Sequence, residues 1–292
     1  MEESNPTGMV LDMVFKSAVL PLLVAGATAF LLGKFGPRSL ASRRDVTAAS
    51  GLLLGFAAGF FALNGLTEFP PILATNWPPY FALAALAIFV WIKPERFWFR
   101  FGGAVLLVGL CLWFNLRPLI ENSWETGTAA MWLAGLGSVW IATLMIWPFA
   151  LGEDQAEQPL FLVLCATAAS LVAVMDGSVS VGQSAGTLAS AAGGLFLVRL
   201  VLPDLRFGGT LHAVFLSAWG AMLLNAQFYV EVAPLAVALA AAMPFFALLM
   251  KLPRANDWPA WKRAALLLGT SVIPFVIAVV YLIQNQNKDY YY

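Results

Sequence analysis

Long apolar runs, broken by short polar or charged punctuation, organise this chain. A helix crosses the hydrocarbon of a bilayer with roughly 20 mostly apolar residues, in a range of about 17–25. Ten runs meet or approach that length, at 15–34, 48–68, 77–93, 100–117, 125–149, 158–176, 180–201, 207–229, 233–251 and 261–284. The third and fourth are the weakest, because Lys93-Pro94-Glu95-Arg96 cuts both short. The connections are too short for a soluble domain. The pattern predicts an all-α, polytopic integral membrane protein: one transmembrane domain over residues 1–292 with about ten helices.

Composition supports this reading. Only 11% of residues are charged and 61% are hydrophobic, whereas soluble domains carry about 25% charged residues. The balance excludes a cytosolic enzyme, a disordered tail and a nucleic-acid-binding module. The bilayer is the partner the composition demands, with membrane-protein partners or a homo-oligomer left open. The N-terminus is acidic and lacks the basic region of a signal peptide, so the first run is expected to be retained.

The net charge of zero hides an asymmetry. Assigning loops alternately puts Lys34, Arg38, Arg43, Arg44, Lys93, Arg96, Arg100, Arg199, Arg206, Lys251, Arg254, Lys262 and Arg263 on one side. The other side holds Lys16, Arg117 and Lys288. Cytoplasmic loops carry the Lys and Arg excess, so a bacterial-type plasma membrane with both termini on the non-cytoplasmic face is expected. Tryptophan agrees, because its ring prefers the headgroup layer. Trp77, Trp113 and Trp124 fall near expected outer ends, and Trp91, Trp98, Trp147, Trp258 and Trp261 near inner ends. Trp132, Trp140 and Trp219 fall mid-span.

Ten helices divide into halves, 15–149 and 158–284, and an odd-numbered half inserts inverted relative to its copy. Transporters are often built this way. Residues 50–63 and 185–198 share five of fourteen positions, although Ala- and Leu-rich helices match easily by chance. Gly51, Gly55 and Gly59 recur every four residues in the second helix, as do Gly182, Gly186, Ser190 and Gly194 in the seventh. Small residues at this spacing let helix backbones approach closely in lipid. Both helices are expected in the interior, with packing against each other as one arrangement.

Candidate chemistry is sparse. Gly182-Gln183-Ser184-Ala185-Gly186 fits G-x-S-x-G, but that motif works on a strand-turn-helix, and here it opens an apolar helix. The single histidine, His212, is expected near the opposite membrane face from Ser184, too far to serve as its base. Its simpler role is a partnered helix residue or a headgroup contact. Cys111 and Cys165 lie apart in apolar runs. Metal sites need three or four such ligands, so no metal or cofactor and no catalytic residues are expected.

Polar residues concentrate at the expected outer ends: Asn64, Asn115, Arg117, Asp176, Gln183, Asn225, Gln227 and Glu231. They form either an outward polar vestibule or ordinary helix ends at the headgroup layer, where polar groups are easily accommodated. No Asp, Glu, Lys or Arg falls at the centre of a span, and ionisable groups there mark proton and ion pathways. Pro244 and Pro274 interrupt the ninth and tenth spans and remove a backbone hydrogen bond each. Two functions fit: a permease-like protein for a neutral, amphipathic or lipid-like molecule without an ion-coupling charge, or a non-catalytic subunit or scaffold of a larger membrane complex.

Overall fold

A computed structural model describes residues 6–37, 44–91, 97–152, 155, 157–252 and 258–289. Of the charges used to assign sidedness, Arg38, Arg43, Lys93, Arg96 and Arg254 lie outside the described residues. So do Glu2, Glu3, Glu95, Glu153, Asp154 and Asp257.

All regular structure among the described residues is helical. The helices are α1 (Thr7–Phe35), α2 (Arg44–Asn64), α3 (Pro78–Trp91), α4 (Phe97–Asn122), α5 (Thr126–Leu151), α6 (Gln158–Met175), α7 (Val179–Val201), α8 (Gly209–Phe228), α9 (Pro234–Lys251) and α10 (Ala260–Asp289). Nine are long and apolar enough to cross a membrane. The exception is α3: its 14 residues rise about 21 Å at 1.5 Å each, short of a ~30 Å hydrocarbon core. The fourth span, expected to be weak, is a 26-residue helix.

Two helices depart from regular geometry. Phe15–Val19 forms a π-helical turn inside α1. Helix α9 changes from α to 3-10 geometry at Met243. Pro244 lacks an N–H and its ring clashes with the preceding turn, and the tighter winding starts one residue before it. By contrast, α10 continues through Pro274.

Helix α8 forms the axis of the bundle. It packs against α2, α3, α4, α5, α6, α7 and α9, and all but four of its 20 residues are buried. Small residues permit these approaches. A Cβ on Gly220 would collide with the Trp140 ring of α5. The large side chains fill the space between: Trp147 of α5 stacks on Phe215 at 5.8 Å, and Phe215 stacks on Trp219 at 6.2 Å. Trp219 Nε1 donates to the Cys165 carbonyl of α6 at 3.0 Å.

The glycine ribbons close chiefly on α1. A Cβ on Gly55 would lie 2.5 Å from Ala25 Cβ and 2.6 Å from the Pro21 carbonyl oxygen, and one on Gly51 would lie 2.9 Å from the Ala25 carbonyl oxygen. Gly59 meets Pro21 and also Thr187 of α7. On α7, Gly194 abuts the Leu22 carbonyl of α1, while Gly182 abuts Val174 of α6. Gly186 has ordinary room, 3.6 Å to Ser170 Oγ, and Ser190 is half-buried. Helices α2 and α7 touch each other, but their small faces mainly hold α1 and α6.

The tryptophan pattern needs one correction. Trp91, Trp98 and Trp261 are exposed at helix ends, but Trp147 is fully buried. Its Nε1 donates to the Pro244 carbonyl at 2.8 Å. It is a core residue, not a headgroup anchor.

Candidate functional site

Side-chain polarity gathers at the two ends of the bundle. At one end, the C-termini of α2 and α8 meet the N-termini of α3 and α7 around a recess of about 30 Å³. That volume has room for at least one water molecule. Asn64, Thr75, Pro78, Ser180, Val181, Ser184, Met222 and Asn225 line it, so its walls carry amides and hydroxyls but no charge. Asn64 Nδ2 donates to the Phe60 carbonyl at 2.9 Å and approaches Ser184 Oγ at 3.5 Å.

Asn225 is the most constrained of these groups. Its Nδ2 reaches toward the Ala74 carbonyl at 3.5 Å, and the residue is 2% exposed. A carbonyl only accepts, which sets which end of the amide is nitrogen. The remaining atom, Oδ1, is buried without a hydrogen-bond partner among the described residues.

The structure distributes the eight outer polar residues among several environments. Asn64 and Asn225 line the recess. Asn115 is buried on α4, with Nδ2 donating to the Ala221 carbonyl at 3.3 Å and its own carbonyl accepting from Tyr229 Oη. Arg117 is exposed and pairs with Glu121 at 2.6 Å. Asp176 accepts from the Ala233 backbone N–H at 2.6 Å, tying the α6–α7 turn to the start of α9. Gln183 and Gln227 are half-buried and Glu231 is exposed. Thr75 and Ser180 belong to the recess although the sequence did not single them out. The polar, Pro-flanked segment around the 3-10 turn Ala74–Asn76 was the available signal for Thr75.

The opposite end carries a layer of buried and partly buried polar side chains. His212 Nε2 lies 3.1 Å from Gln158 Oε1, and both residues are fully buried. Gln158 Nε2 donates to the carbonyls of Leu151 and Gly152, so its Oε1 is the acceptor. His212 Nε2 therefore carries the proton. Glu157 pairs with Arg263 of α10 at 3.0 Å, with the Glu157 side chain 1% exposed. Arg100 donates to the carbonyls of Leu144 and Met145 at 2.8 and 3.3 Å. Asp45 accepts from Thr210 Oγ1 at 2.8 Å. His212 is thus a partnered helix residue, of the two roles the sequence allowed.

Ser184 and His212 share no hydrogen bond: one faces Asn64 in the recess, the other faces Gln158. Among the described residues, no group of three or more His, Cys, Asp or Glu side chains is placed to hold a metal. Cys111 and Cys165 are buried free thiols.

Comparison with protein-family models, with characterised proteins and with solved structures finds no match to this chain.

Proposed function

We propose that this multi-pass membrane protein is a permease-like carrier for a small neutral, amphipathic or lipid-like molecule. The observation that carries the reading is the uncharged recess between α2 and α3 of one half and α7 and α8 of the other. Carriers built from two halves hold substrate where the halves meet, near the bilayer midplane, and this recess sits at one end of that seam. Pairing of α1 with α2 and of α6 with α7, and contact of α2 with α7 and α3 with α8, fit an inverted arrangement of five and five helices. In this reading the recess opens on the non-cytoplasmic face of a plasma membrane, both termini lie on that face, and the His212–Gln158 layer closes the cytoplasmic face. The two glycine ribbons would hold α1 and α6 against this centre. The test is flux: purified protein in liposomes should accelerate exchange of neutral amphiphiles over protein-free liposomes and leave matched ions unaffected. Equal leak with and without protein would refute it.

A second reading, a non-catalytic subunit of a larger membrane complex, draws on the filled centre around Trp147, Phe215 and Trp219. Mild extraction from native membranes separates the two. Co-purification with the same proteins at fixed stoichiometry favours the subunit, and isolation as a lone chain favours the carrier.

A further inference from the structure

From the same recess, and resting on the carrier reading for its physiological use, we infer that the ligand presents an uncharged hydrogen-bond donor, a hydroxyl or a primary amide, to Asn225 Oδ1. The buried oxygen lacks a partner among the described residues, and a buried polar atom left unpaired is destabilising. A donor that reaches this oxygen as the Asn225 side chain turns toward the recess removes that cost. Charge is selected against in both directions. No basic residue lines the recess to compensate a carboxylate, and no acidic residue lines it to compensate an ammonium. Taking either ion out of water without a partner is strongly unfavourable.

Size narrows the class further. About 30 Å³ of space admits a polar head the size of a hydroxyl or a primary amide. The apolar tail packs on Pro78, Val181 and Met222, the apolar part of the lining. The ligand is therefore an amphiphile with a donor head and a short apolar tail.

The experiment measures binding of hexanamide, 1-hexanol, hexanoate and hexylammonium to the purified chain in lipid nanodiscs, with empty nanodiscs subtracted. Hexanamide and hexanol should bind at least tenfold more tightly than the two ions at pH 7. Asn225→Leu should abolish binding of the neutral pair, and Thr75→Val, which leaves the α8 amide in place, should weaken it. Asn225→Asp should shift preference to hexylammonium, a change that a merely structural role would not produce. Hexanoate binding as tightly as hexanamide, or full binding by Asn225→Leu, overturns the inference. Binding without flux in liposomes would refute the carrier reading alone. Flux of other solutes with no hexanamide binding would refute this inference alone.

Discussion

His212 of α8 and Gln158 of α6 meet at 3.1 Å with neither side chain exposed to solvent. Gln158 uses its nitrogen on the carbonyls that end α5, and its oxygen on the histidine. One side chain thus joins three helices. Replacing His212 with Leu leaves the Gln158 oxygen buried and unpaired, a cost of about 1–3 kcal/mol. His212→Leu should lower the thermal midpoint of the purified protein, and the double variant His212→Leu/Gln158→Leu should lower it by less than the sum of the single changes. Strict additivity would show that the two side chains are not coupled.

Gly55 has no space for a side chain, because Ala25 and Pro21 of α1 already occupy it. Gly55→Leu should destabilise by about 1–3 kcal/mol through overpacking. Gly109 meets nothing within 4 Å, so Gly109→Ala on α4 serves as the control and should be neutral. Detergent-resistance or thermal-shift measurements on both variants distinguish tight packing from a general intolerance of substitution.

The Glu157–Arg263 pair binds the start of α6 to α10. Removing one partner of a buried ion pair costs about 3–5 kcal/mol where both charges are desolvated. Arg263, at 22% side-chain exposure, retains some water, so Glu157→Gln should cost less than that range while still lowering stability measurably. Restoration of stability in Glu157→Gln/Arg263→Gln, relative to Glu157→Gln alone, is the expected signature. Further loss would contradict the pairing.

Trp147→Phe keeps an aromatic ring beside Phe215 but removes the donor to the Pro244 carbonyl. The expected loss is about 0.5–1.5 kcal/mol, read as a lowered unfolding midpoint. An unchanged midpoint would show that the bond to the broken helix contributes nothing.

The helix plan was legible because lipid demands long apolar runs, and nine of those runs form helices of spanning length among the described residues. What the runs do not encode is which face of a helix meets which neighbour. Gly51, Gly55 and Gly59 announce a close approach by their spacing, yet nothing in that spacing names α1 as the helix they approach. Trp147 sits near the end of α5, where the sequence suggests a headgroup anchor, and only the rotation of α5 turns it into the core. Gln158 and His212 are 54 positions apart, and no periodicity links them. The recess was half legible: Asn64 and Asn225 stood out as amides at helix ends. Thr75 and Ser180 were ordinary hydroxyls until four helix ends were brought together.

The central claim, an outward-facing recess that takes a neutral donor, is tested most directly by labelling Ser180→Cys in intact cells with a membrane-impermeant maleimide. Ser180 is exposed at the recess, and the native thiols Cys111 and Cys165 are buried, so background labelling should be low. The account predicts labelling from outside, slowed by hexanamide and unaffected by hexanoate. Labelling only after the membrane is broken, or equal protection by both compounds, would contradict it.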